Sequence, residues 1–214
     1  DKNELEGTLR VATTLTVGNF ILPQCSAEFL HRHPKVNLEI VVSGVTEAVE
    51  RFEAMSVDLG VIDTTCNRST LRIEPIGDDR VVVFAAPNHP LASKRKVTVD
   101  DLRASSWCLR ESPSLTRLHL GMALREGGLN DVRLVASTYQ AVKTAVMAGL
   151  GLGFASIQVI AREVAAGDLV VIPAKSVELE RRFTLLTPKG AYQSGLPKAF
   201  AEHIRDWFAR ELSP

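Results

Sequence analysis

The chain of 214 residues predicts an α/β protein built as two similar lobes. Strand-like and helix-like runs alternate through both halves, and no shift in composition marks a linker between them. In three places an apolar strand-like run ends in hydroxyl residues that open a helix-like segment. These are Val11–Thr16 before Val17–Arg32, Leu109–Thr116 before Arg117–Glu126, and Val135–Gln140 before Ala141–Ala148. Small-molecule sites of open α/β sheets lie at such carboxyl ends of strands.

Thr8–Thr13 alternates, with Leu9 and Val11 on one face, and reads as the first strand. Val17–Arg32 follows as a helix in which Pro23 either sits early enough to be tolerated or introduces a kink. His33-Pro34 stops it. Leu38–Val42 is a strand, Glu47–Met55 a helix with Thr46 as its cap, and Leu59–Ile62 a strand apolar enough to be buried on both faces. Leu71–Ile76 and Arg80–Ala86 read as two strands joined by a turn at Gly77-Asp78-Asp79. Thr98 caps a short helix to Ala104, with Asp101 as the acid at its third position. Trp107–Leu109 is a strand and Arg117–Glu126 a helix ended by Gly127-Gly128. Val132–Ala136, Ala141–Ala148, Gly153–Ala155 and Gln158–Ala166 continue the alternation, and Gly167 closes the last of these. Leu169–Ile172 and Phe183–Thr187 are strands. Leu196, Phe200, Ile204, Trp207 and Phe208 form a final helical stripe. The lobes are expected at 1–79 with 179–214, and at 80–178.

Lys+Arg and Asp+Glu number 25 each, so no net positive charge favours nucleic acid or an anionic membrane. Lys94-Arg95-Lys96 is too short to change that. Cys25, Cys66 and Cys108 are odd in number and lack metal-ligand spacing, which fits a reducing cytoplasm better than a disulfide scaffold. Cys25 is expected in the core. No run approaches the roughly 18 apolar residues of a membrane span. His31-x-His33 has no third ligand nearby, and no metal or cofactor is expected. Gly149-x-Gly151-x-Gly153 ends a helix and enters a strand, the reverse of a dinucleotide loop, so helix stop and close packing explain it. No nucleophile elbow, phosphate loop or zinc-protease motif is present, and the chain is not expected to be an enzyme.

Several segments, in order, resemble the effector-binding domain of LysR-type transcriptional regulators over essentially the whole chain. They are Gly7–Val11, Ile21-Leu22-Pro23 with Phe29, His33-Pro34, Val57–Ile62, His89-Pro90-Leu91-Ala92 and Ala148–Gly153. Thr14–Pro23 and Arg110–Arg117 resemble the branch that regulates carbon fixation and sulfur assimilation. That branch carries Pro-Gly-Ser-Gly where this chain has Ser112-Pro113-Ser114-Leu115, which implies a stiffer loop. The family's frequent proline after the glycine run is replaced within Ser156-Ile157-Gln158. The resemblance implies the type 2 periplasmic-binding-protein architecture, two Rossmann-like lobes joined by crossover strands. It also implies a cytoplasmic sensor whose DNA-binding domain would precede Gly7. Sensor domains would pair as antiparallel dimers, partly through Val17–Arg32, within a full-length tetramer. A periplasmic solute-binding protein is the alternative on the same architecture. An upstream helix-turn-helix or a signal peptide in the reading frame decides between them.

The expected effector is a small anion or carboxylate in the interlobe cleft. Its expected contacts are Thr14, Thr16, Thr64, Ser112, Ser114, Thr116, Ser137 and Thr138, with Tyr139 beside the last. Each hydroxyl at a helix start can instead act simply as a cap. Arg110 and Arg117 are candidates for a bidentate anion clamp, with salt bridging to Glu111 or Glu126 as the alternative.

Overall fold

The computed structural model describes residues 4–111, 114–125, 128–189 and 195–212. The chain divides into unit 1, Asp1–Asp79 with Arg181–Pro214, and unit 2, Arg80–Glu180.

In unit 1, β1 (Gly7–Thr13) pairs in parallel with β2 (Val36–Val42) and with β3 (Leu59–Ile62). Two strands cross the unit boundary, β4 (Leu71–Ala85) on the way out and β9 (Leu179–Pro188) on the way back. β3 pairs antiparallel with β9, and the strand order is β2-β1-β3-β9-β4. β3 is buried at all four positions, as its unbroken apolar run requires. Helices cover both faces of this sheet. Leu9 and Val11 of β1 pack with α1 (Leu15–Phe20), α2 (Leu22–Arg32) and α8 (Leu196–Glu211), in a core that includes Phe29, Phe200, Trp207 and Phe208. Ala12, on the opposite face, packs with Ala48, Val49 and Phe52 of α3 (Val45–Glu53).

The expected single helix over Val17–Arg32 is two helices. Ile21, with φ −122° and ψ −60°, ends α1 and begins α2, and Pro23 lies in the first turn of α2, where its missing N–H costs nothing. Thr46 does not cap α3. The helix starts two residues earlier, from Gly44, which places Thr46 inside it. The expected turn at Gly77-Asp78-Asp79 is also overturned: β4 runs unbroken through it, because Asp79 is buried against an arginine of β9 rather than solvated. Cys25 is fully buried, and burial pushes its thiol up to about 12, so it is an inert core residue.

His203 joins α8 to α2. Arg32 can only donate, so its Nη2, 2.6 Å away, makes His203 Nδ1 the acceptor, and Nε2–H donates to the Cys25 carbonyl at 2.8 Å. Protonation would place a second proton against the guanidinium. Burial first, and then Arg32, hold the His203 pKa below 6.5, although the Cys25 carbonyl and Glu28 favour the charged form. The unfolded chain therefore takes up the proton first. The stability His203 carries is full above about pH 6.5 and is lost as pH falls from there through the folded pKa. Urea unfolding is expected to show lower stability at pH 5.5 than at pH 7.5. His203→Gln is expected to remove part of that difference, since burial lowers the His89 pKa in the same direction. An unchanged slope in the variant would contradict the assignment.

In unit 2, β4 pairs antiparallel with β7 (Gly153–Ser156) and β8 (Val170–Val171). β5 (Trp107–Arg110) pairs in parallel with β6 (Val132–Ala136), and a bridge between Trp107 and Leu152 links β5 to the start of β7. Thr98 and Asp101 form a reciprocal capping box on α4 (Val99–Arg103), as their spacing predicts. α5 (Leu115–Leu124), α6 (Tyr139–Met147) and α7 (Ile157–Ala166) complete the unit. α5 ends at Leu124; Gly127 of its expected stop lies outside the described residues. Gly149, at φ +81°, stops α6, whereas Gly153 lies too close to the Phe84 ring to carry a side chain. Among the described residues, no helix is long and apolar enough to cross a membrane, and no three His, Cys, Asp or Glu residues group as a metal site.

Candidate functional site

Unit 1 gathers three threonines at the carboxyl end of β1. Thr13 Oγ1 donates to the Val61 carbonyl at 2.7 Å and ties the ends of β1 and β3 together. Thr14 is the N-cap residue of α1, but its side chain makes no cap bond; Oγ1 instead accepts from the Asp63 N–H at 3.2 Å. The first-turn N–H groups of α1 are thus left without a threonine oxygen. Thr16 lies inside the helix and not at its cap. Its Oγ1 accepts from Arg181 Nη2 at 3.2 Å. Thr14 and Thr16 are only 4% and 1% exposed, yet neither hydroxyl proton has an acceptor among the described residues. Gly18 allows this close approach of α1: a β-carbon there would lie 2.6 Å from the Thr13 and Val42 methyls.

Behind Thr16 stands a buried ionic cluster. Arg181 Nη1 is 2.8 Å from Asp63 Oδ2, and its Nε is 2.7 Å from Asp79 Oδ2. The Asp79 side chain is fully buried and those of Asp63 and Arg181 nearly so. A guanidinium is suited to such a place because it stays charged and presents donors in several directions.

In unit 2, Ser114 caps α5. Its Oγ accepts from the Arg117 N–H at 3.4 Å and lies 2.8 Å from the hydroxyl of buried Thr116. Arg110, at the end of β5, lies over the Tyr139 ring at 5.3 Å, a cation–π contact. Its Nε is buried without a hydrogen-bond partner among the described residues. Arg117 Nη1 donates to the Arg110 carbonyl at 3.2 Å, which ties the Arg117 side chain to the end of β5. Among the described residues neither arginine pairs with Glu111, and Glu126 lies outside them. Thr138 caps α6 through the Ala141 N–H at 3.3 Å. Each cluster therefore supplies hydrogen-bonding groups at a strand end, and among the described residues none of these hydroxyls is paired with a base.

A family model described as the LysR substrate binding domain matches residues 2–209. The chain belongs to the LysR substrate-binding domain family. It is 30% identical over 183 residues to the HTH-type transcriptional regulator CysL of Bacillus subtilis, covering 85% of this chain and 61% of the regulator. It is also 30% identical over 211 residues to the RuBisCO operon transcriptional regulator of Allochromatium vinosum, covering 98% of this chain and 69% of that one. The latter fits the carbon-fixation branch that Thr14–Pro23 and Arg110–Arg117 resemble. In structure, the regulatory domain of Synechocystis PCC6803 CcmR, solved in complex with 2-PG, superposes with a TM-score of 0.84 at 23% identity. That match covers 98% of this chain and all of the other. Such neighbours share the type 2 periplasmic-binding-protein fold, and this LysR domain has it too. It is the ligand-binding domain of a LysR-type regulator, and the relatives are named as regulators, not enzymes.

Within the LysR domain, the structure brings Thr14 and Thr16 together in unit 1 and Ser114 and Thr116 together in unit 2. Thr64 lies half-exposed on the bend after β3, and Ser137 and Thr138 are exposed. Ser112 lies outside the described residues. The Arg181, Asp63 and Asp79 cluster was not among the expected site residues. Its signal is the period of β9, where Arg181 shares the parity of buried Phe183 and Leu185 and so points inward. Lys143 was missed too: it is buried in α6 and bonds the Val159 carbonyl and Glu163 of α7.

Proposed function

We propose that this domain senses a small anionic metabolite in the cytoplasm, with Thr14 and Thr16 as the principal contacts in unit 1. The observation that carries the reading is the pair of buried hydroxyls whose oxygens already accept and whose protons have no acceptor among the described residues. A buried donor without an acceptor is costly, and a ligand oxygen relieves that cost. Ser114 and Thr116 are the proposed contacts in unit 2, together with Ser112, Ser137, Thr138 and the Arg110 Nε, which has no partner among the described residues, and Thr64 is a further proposed contact in unit 1. CcmR in complex with 2-PG and the effector-binding domain of QuiR in complex with shikimate support an acidic effector. Neutral donors suit a sensor because they hold an anion without a full counter-charge, so release stays fast.

Binding would favour one of two pre-existing conformations, and only a difference in affinity between the two can regulate. In the whole protein, sensor domains would pair through the α2 face, tetramers would form, and DNA would be read by a separate N-terminal domain. The chain spans 61% of the B. subtilis regulator, so these roles belong to the larger assembly.

Calorimetry with 2-phosphoglycolate, shikimate, sulfate, sulfite and phosphate tests the reading. Thr16→Ala and Ser114→Ala are each expected to weaken the best-bound anion by about 10-fold, the loss of one hydrogen bond to a charged group. Unchanged affinity in both variants would sink the site assignment.

A further inference from the structure

The anion reading leaves open why two threonines, which can accept as readily as donate, should prefer a ligand that only accepts. A hydroxyl carries one proton and two lone pairs, so its role is set by its neighbours. Thr14 Oγ1 faces the Asp63 backbone N–H, and Thr16 Oγ1 faces a guanidinium N–H of Arg181. Neither partner can accept at those atoms. Arg181 is the stronger constraint, since a guanidinium keeps its charge at any working pH and repels a hydroxyl proton turned towards it. The two carboxylates fix its orientation, Asp63 on Nη1 and Asp79 on Nε, so Nη2 is held towards Thr16.

We infer that Arg181 is a positioning residue for effector recognition: by donating to Thr16 Oγ1 it commits that hydroxyl to donate its own proton to the ligand. The site in unit 1 thereby selects ligands that present a bare acceptor oxygen, such as a carboxylate, phosphate or sulfate, over ligands that present a donor there. Arg181 touches no ligand in this scheme and acts through Thr16. The inference rests on Thr16 being an effector contact.

A double-mutant cycle on the 214-residue chain tests it, with 2-phosphoglycolate and sulfate as probes and thermal melting as the folding control. Lysine retains the charge but cannot reach three partners with one ammonium group. Arg181→Lys is expected to weaken the better-bound probe by about 10-fold in the wild-type background, matching one lost hydrogen bond to a charged group. In a Thr16→Val background, where no hydroxyl remains to be set, the same change is expected to have less than about a 2-fold effect, because the two residues act as a unit. Thr16→Ser keeps a hydroxyl and is expected to restore the sensitivity to Arg181→Lys. If Arg181→Lys does not fold, the pair Arg181→Gln and Asp79→Asn, which removes one charge of each sign, takes its place with the same expectation. Equal weakening in both backgrounds would assign Arg181 a general structural role and overturn the inference, as would wild-type affinity in Arg181→Lys. Wild-type affinity in Thr16→Val would overturn the underlying site assignment instead. Binding of neither probe by the wild-type chain would overturn both.

Discussion

Arg181→Met is expected to destabilise the protein by about 3–5 kcal/mol, the usual cost of removing one partner from a buried ion pair. Asp63 and Asp79 would keep their carboxylates beside an apolar side chain, and Asp79 has no exposed surface through which water could take the place of the guanidinium. The cost therefore comes from stranded charge more than from lost attraction. Removing the whole cluster follows a different rule, because apolar or neutral replacements of similar volume often match the stability of a buried ionic group. The triple variant Arg181→Met, Asp63→Asn, Asp79→Asn is expected to recover at least half of the loss. Urea unfolding of the wild type, the single variant and the triple variant measures both steps. A single variant within 1 kcal/mol of the wild type would show that these carboxylates are not buried charges.

Gly151→Ala is expected to cost about 3 kcal/mol or more, beyond the ordinary range for overpacking, because the obstacle is backbone. Gly151 has φ +158°, and a β-carbon there would fall inside van der Waals contact of the Ser106 carbonyl oxygen. That same carbonyl accepts the Leu152 N–H at 2.8 Å, and the Leu152 carbonyl accepts the Cys108 N–H at 2.8 Å. Any shift that accommodates the methyl must stretch the link between β5 and β7. Gly149→Ala, by contrast, meets nothing within 4 Å and carries only the penalty of its positive φ, about 1 kcal/mol. Chemical denaturation of the two variants side by side separates crowding from backbone strain. Equal losses would contradict the role given to Ser106.

Periodicity and punctuation made most of the framework readable. Leu59–Ile62 shows its burial as four apolar residues in a row, Gly167 closes α7 in the left-handed conformation, and the Thr98 and Asp101 box sits where its spacing puts it. The errors share one cause, which is that tertiary partners decide what local residue type leaves open. Gly77-Asp78-Asp79 carries strong turn chemistry, but a partner more than a hundred residues away draws Asp79 into the interior, and β4 continues through it. Thr14 and Thr16 look alike as capping residues. Only the placement of Asp63 and Arg181 shows that the first bonds a backbone amide across the sheet and the second an arginine. Arg110 and Arg117 look like a clamp in sequence, and spacing gives no sign of the Tyr139 ring and the backbone carbonyl that they also contact. The hydroxyl clusters were legible because strand ends and helix starts are local features; the charges that orient them were not, because ion pairing is not written in spacing.

The most direct test of the sensor reading is a calorimetric titration of the wild-type and Thr16→Val chains with the anion panel, headed by 2-phosphoglycolate. The account predicts that the wild type binds at least one of these anions at a single site, and that Thr16→Val weakens that anion about 10-fold or more while melting cooperatively. Binding of equal strength in the two chains would contradict it.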